Sequence, residues 1–216
     1  EGGEGRITGQ FLLNAQLRAL ELLKNDKPAE AQEILLAAQT YPLNLAEGRL
    51  VGQTDNDLYY WLGVTAKRLG QHAQAKQWFE RAAQGDKGIS ERRYYNDQPV
   101  DYLFYQGMAL RQLDQQAEAN QLFSQMLDWA EQASGDAVTA DFFAVSLPDL
   151  LVLNSDRQLQ HREHLLLVKG LALLGAGENS AAASTLQQAL ALNPANNKAQ
   201  LFLSLAGQAE GLLNAV

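Results

Sequence analysis

Four places in this chain carry a small residue followed at fixed distances by another small residue, a bulky one and a third core-sized one. Ala19 is followed by Ala31, Leu35 and Ala38; Gly63 by Ala75, Phe79 and Ala82; Gly107 by Ala119, Phe123 and Met126; Gly170 by Ala182, Leu186 and Ala189, always at offsets of twelve, sixteen and nineteen. A glycine inside a helix costs about 1 kcal/mol relative to alanine, so Gly63 needs a packing reason, and close approach of a neighbouring helix supplies one. Asp26, Gly70, Asp114 and Gly177 stand seven residues past each anchor, where the first helix of each pair must stop. The clearest copy, Asp57 to Ala83, reads as two amphipathic helices joined at Gly70-Gln71. The expected unit is therefore a pair of antiparallel helices in which a small gap faces a plug.

This ladder resembles the tetratricopeptide repeat, a two-helix unit of about 34 residues. The last unit adds that family's closing proline in ALNP, as Pro194. The resemblance implies an all-α fold: a right-handed superhelix of about four helical hairpins with inserted loops and a C-terminal capping helix. A solenoid of this kind is one continuous body, so the 216 residues are expected to form a single domain.

Taken in order, residues 1–7 read as a flexible leader and 8–42 as repeat 1, with helices over Thr8–Asn25 and Pro28–Gln39, since Pro28 suits a first helical turn and Tyr41-Pro42 ends the second helix. Repeat 2 covers 57–86 and repeat 3 covers 100–134, with helices over Val100–Leu113 and Gln116–Ser134. Residues 135–155 form an insertion, 156–194 repeat 4, with helices over Asp156–Leu174 and Ser180–Leu192, and 197–213 the capping helix. Ser155 is expected to cap the first helix of repeat 4. The anchors Ala19, Gly63 and Gly107 are 44 residues apart, about ten more than the repeat needs, so the loops Leu43–Asn56 and Gln84–Pro99 carry extra chain. The 135–155 insertion holds DFFAVSLPDLLVL, an apolar run that must pack against the solenoid or a partner.

Those inserted strings sharpen the resemblance. LAEGR with DNDLYYWLG, then YYNDQ, FYQGMAL and FFAVSLPDLLV look like the C-terminal repeat region of a bacterial family in which an uncharacterised, carbohydrate-enzyme-like β-sandwich module precedes tetratricopeptide repeats. The resemblance implies that this chain, which opens on EGGEG, is the C-terminal piece of a longer protein. Within YYNDQ, Tyr94–Gln98, amides and phenols are expected to fix the inserted loop by hydrogen bonds.

Composition narrows the partners. A net charge of −8, with no run among the 17 basic residues, argues against nucleic acid and against anionic membranes. No apolar stretch approaches the length of a membrane span and no secretory leader is visible. The absence of cysteine removes thiolate nucleophiles, disulfides and cysteine-based zinc sites, and fits a cytoplasmic setting.

Catalytic patterns are thin. His161 and His164 share a helix face and could recruit Asp156 or Glu163 as metal ligands, but a polar helix start is the plainer reading. His161-Arg162-Glu163 matches half of a zinc deaminase signature and lacks its cysteine pair. GAGENS, Gly175–Ser180, follows a helix and lacks the Lys-Ser/Thr ending of a phosphate loop, so it is an interhelical turn. Neither an enzyme nor a cofactor is expected.

Binding is the expected role. The resemblance puts the first helix of each pair on the concave side, where Asp57, Tyr60, Trp61, Val64 and Arg68, then Asp101, Phe104, Tyr105, Met108 and Arg111, then His164 and Val168 would meet a partner. Aromatics with a few charges suit an anchor for a peptide or loop. Because Tyr59, Tyr60 and Trp61 are adjacent, at least one must be core. The known carboxylate clamp of such repeats is not expected, since the corresponding places carry Gln16, Leu20, Trp61, Asp101 and Tyr105. The expected partner is the protein's own N-terminal domain or a second copy. The alternatives are a separate peptide in the groove, or a carbohydrate pocket completed by Trp61, Tyr105 or Asp101.

Overall fold

In a computed structural model, residues 6–45, 48, 54–89, 98–135 and 157–208 are described. Nine α-helices lie among them: α1 Arg6–Lys24, α2 Pro28–Ala37, α3 Asn56–Arg68, α4 His72–Ala82, α5 Asp101–Gln112, α6 Gln116–Gln132, α7 Arg157–Ala176, α8 Asn179–Leu192 and α9 Asn197–Ala206. The described residues contain no strand, and short 3₁₀ turns occupy Leu43–Leu45 and Ala133–Gly135. Each odd helix packs on the even helix after it, and successive pairs stack α2 on α3, α4 on α5 and α6 on α7. The chain is an all-α solenoid of tetratricopeptide type. No helix among the described residues is long and apolar enough to cross a membrane.

The ladder is realised as gap against plug. A Cβ built on Gly63 would meet the Phe79 ring at 2.5 Å, and one on Gly170 would meet Leu186 at 2.7 Å. A Cβ on Gly107 would run into Phe123. Gly175 on α7 faces the same ring, so Phe123 is gripped by glycines from the helix before it and the helix after it. In repeat 1 the anchor is Ala19 and the plug is Leu35, both buried.

All four turn residues adopt positive φ: Asp26 at 55°, Gly70 at 72°, Asp114 at 60° and Gly177 at 88°. Each closes a helix in the same way. The Gly70 N–H donates to the Lys67 carbonyl at 3.0 Å and the Gln71 N–H to Ala66 at 2.9 Å, satisfying carbonyls that the helix end leaves open. The equivalent long bonds run from Lys27 to Leu22, Gln115 to Leu110 and Glu178 to Leu173, each at 2.9 Å. This shared closure sets one angle between the helices of every pair, and so the pitch of the stack.

Helix ends follow the expected ones within two or three residues, except that α9 ends at Ala206 and residues beyond 208 lie outside those described. The apolar 141–153 run, Tyr94–Asp97 and the Ser155 cap also lie outside them. Of YYNDQ, Gln98 is described: its amide donates to the Asp86 carbonyl at 2.8 Å, and the buried Gln106 amide donates to the same carbonyl at 3.2 Å. Gln98 thus does pin the 84–89 loop against α5.

Candidate interaction site

The positions three and two residues before each anchor face the inside of the curve. They read Gln16 and Leu17 on α1, Tyr60 and Trp61 on α3, Phe104 and Tyr105 on α5, and Leu167 and Val168 on α7. The middle repeats therefore bring four aromatic rings to one place. Tyr60 and Trp61 meet edge-on at 5.2 Å, Tyr60 and Tyr105 at 5.7 Å, and Phe104 and Tyr105 at 5.4 Å. The Trp61 indole N–H reaches the Tyr105 hydroxyl at 3.5 Å.

These rings do not line an open groove. Tyr60, Trp61, Phe104 and Tyr105 are fully buried, and Met108 nearly so. The expectation that they are offered to a partner, or to a sugar, needs correction, because they are packed against one another, with Phe79 against Tyr60 and α9 against Phe104 and Tyr105. Phe202 of α9 packs edge-on against Phe104 at 5.1 Å and on Tyr105 at 5.8 Å, and Lys198 of α9 makes an ion pair with Asp101. Burial raises the pKa of both tyrosines: Tyr60 and Tyr105 are each held well above the usual phenol range by desolvation. α9, read from sequence as an end cap, packs mainly on α8, as a cap does, and in addition reaches the Phe104–Tyr105 pair with Phe202. The signal was available: α9 carries Ala199, Leu201, Phe202, Leu205 and Ala206, all buried, and a helix apolar on more than one face must be packed on more than one face.

The charged members of the expected site divide. Asp57 and Asp101 are buried at the starts of α3 and α5. Asp57 accepts from the Gln16 side-chain amide of α1 and from the Leu58 N–H at 2.8 Å, yet burial first, and then repulsion from Asp101, raise its pKa to about 7. Arg68 turns away from the groove and donates to the Leu23 carbonyl at 2.8 Å, tying α3 to the end of α1. Arg111 lies over the Phe123 ring and donates to Asn120 at 3.2 Å, and its partial burial lowers its pKa. His164 meets the edge of Trp129 at 5.9 Å, on the far side of α7 from the aromatic cluster. Tyr59 also leaves the cluster: it stacks on Trp78 at 5.8 Å beneath the Arg81 guanidinium.

The two histidines and Glu163 do not converge. His161 Nε2 bonds the Ala133 carbonyl at 3.1 Å, and Glu163 accepts from the amides of Asn193, at 3.0 Å, and Asn196. Glu163 thereby holds the α8–α9 joint, a role that nothing in its local sequence announced. Among the described residues no group of three or more His, Cys, Asp or Glu side chains could hold a metal ion.

A cleft of about 620 Å³ remains between α1 and α9. Leu13, Leu17 and Leu20 line one wall and Leu201 and Leu205 the other, with Gln10, Asn14, Glu21, Lys24 and Gln200 along the rim. Leu17 stands where α3 has Trp61 and α5 has Tyr105, and it is 46% exposed. The Asn197 amide donates to the Gln10 side chain at 3.5 Å at one end of the cleft, so α9 reaches α1 there.

Comparison with known proteins agrees with the repeat reading. The family described as "Tetratricopeptide repeat" matches residues 57–84, the α3–α4 pair. A solved structure, "MamA RS-1 ArsTM double mutant", is similar over 96% of this chain and 87% of its own, at 14% identity and a TM-score of 0.29. Repeats of this kind generally mediate contacts between proteins. The α3–α4 unit thus carries a tetratricopeptide signature, and the described helices around it build the matching all-α scaffold.

Proposed function

We propose that the chain is a protein-interaction scaffold whose open recognition surface is the leucine-walled cleft between α1 and α9. The observation that carries this reading is Leu17, half-exposed at a position that is fully buried in the other three repeats, above a cleft of about 620 Å³. A concave apolar surface with a polar rim suits an aliphatic segment of a protein partner, with rim amides and the Glu21 and Lys24 charges fixing its register. The partner class includes another domain of the same polypeptide. No catalytic step is assigned to the described residues.

The test uses two walls. A photoreactive residue at Leu17 identifies what docks there, and affinity for the purified partner is then measured on Leu17→Arg and Leu201→Arg chains. Each substitution is expected to weaken binding more than tenfold, because a buried guanidinium without a counter-ion opposes docking from either side. A partner whose affinity ignores both walls would show that the cleft is not the recognition surface.

A further inference from the structure

We propose that α9 is a built-in occupant of a helix-binding face on α5, and that a helix of another protein bearing a basic residue and, one turn later, an aromatic one displaces it. The groove's chemistry is written in what α9 presents. Lys198 and Phe202 are four residues apart and share one face, and they meet Asp101 and the Phe104–Tyr105 pair, which are spaced in the same way on α5. The two helices therefore run in the same direction and match turn for turn. Asp101 is buried at the start of this face and pairs with Lys198, so an occupant without a cation would leave its carboxylate uncompensated in a dry site. An aliphatic occupant would also leave the ring edges of Phe104 and Tyr105 without the Phe202 contact.

α9 has ten residues, shorter than a helix that is stable alone, and it is the last described element. It follows a short joint at 193–196 that Glu163 clasps through two asparagine amides. The other eight helices pack between neighbours on both sides or open the stack; α9 has α8 as its main support, with lesser contact to α7. The cleft and the groove share α9 as a wall, so a ligand in the cleft holds α9 down while a ligand in the groove expels it. The inference goes beyond the cleft reading: peptide binding reads the groove, the leucine variants read the cleft, and either can fail without the other.

The experiment takes the full chain and, as probe, a labelled synthetic peptide of residues 196–208. Lys198→Glu loosens the chain's own α9 and leaves Asp101, Phe104 and Tyr105 in place. It is expected to bind the probe at least tenfold tighter than the unaltered chain, and adding Asp101→Asn is expected to abolish that gain. A probe carrying Glu in place of its lysine should not bind. Equal or absent binding by both chains overturns the proposal. Hydrogen exchange on the unaltered chain gives a reading that does not depend on a variant folding. Amides of α9 should exchange at least tenfold faster than those of α8, and equal protection overturns the proposal. Lys198→Glu chains that pair as dimers in light scattering without peptide would show that a second copy fills the groove, which overturns the foreign-helix reading.

Discussion

The α3–α5 part of the concave side and the α1 part use the same two positions of the same repeat, yet the first is dry core and the second an open cleft. Phe104 and Tyr105 meet Phe202 of α9, and Tyr60 and Trp61 close against Tyr105, whereas Leu17 is left half-exposed in the cleft and Gln16 is taken up by Asp57. Side-chain length at two positions per repeat, with the backbone pattern unchanged, decides whether the inside of the curve is filled. The repeat ladder governs how neighbouring helices pack, and it is silent about what happens across the curve.

The sharpest way to break the comparison is to truncate equivalent residues. Trp61→Ala is expected to cost about 3–5 kcal/mol of stability, because a fully buried ring leaves a cavity. Leu17→Ala at the matching position should cost under about 1 kcal/mol, since its side chain is already half in water. Urea titration of both variants reads the difference, and similar losses would mean that the cleft is closed in solution.

Asp57 offers the next largest effect. Its folded-state pKa of about 7 lies above the value of an unfolded aspartate, so the folded chain holds a proton that the unfolded chain releases. Its contribution to stability is fully present below about pH 4, falls as pH rises towards 7, and levels off above it, by at most about 4 kcal/mol for a shift of that size. In Asp57→Asn that slope should vanish and the variant should be the more stable at pH 8. Midpoints measured at pH 5 and pH 8 check the sign; a slope that persists in the variant would place its origin elsewhere, with Asp55 and Asp101 the neighbouring carboxyls.

Gly63→Ala is expected to destabilise by about 1–3 kcal/mol, because the added carbon would stand 2.5 Å from the Phe79 ring. Repeat 1 carries alanine at this position with Leu35 as its plug, whereas repeat 4 keeps glycine against Leu186, so the closeness of each plug, and not its size alone, sets the demand for glycine. Thermal unfolding of Gly63→Ala alone and with Phe79→Leu separates the two causes: the second change should recover part of the loss.

The smallest effect should be the same in both regions. Asp26→Gly and Asp114→Gly relieve a side chain held at positive φ and are each expected to add about 0.5 kcal/mol. Equal gains would show that the turn geometry is common to filled and open repeats. A gain confined to Asp114 would tie it to the filled half.

Much of this was legible in the sequence because it is local. Gly63, Gly107 and Gly170 meet Phe79, Phe123 and Leu186 within single hairpins, and Asp26, Gly70, Asp114 and Gly177 close helices through bonds that span five residues. The site was less legible for the opposite reason. Asp101 and Lys198 are 97 residues apart, and Gln10 and Asn197 are 187 apart, so no period in the chain connects them. Gly175 escaped notice as a second grip on Phe123, since it falls outside the ladder's register.

By itself the sequence determined that these residues form paired helices, where each pair turns and which residue plugs each gap, because those contacts repeat at fixed spacing and depend on nearest neighbours. Only the tertiary structure decided that the aromatic face is buried, that α9 reaches it and that a cleft survives beside α1. Those outcomes depend on how tightly the whole stack curves. The curve of the stack brings α9, far along the chain, to within a side-chain bond of α1.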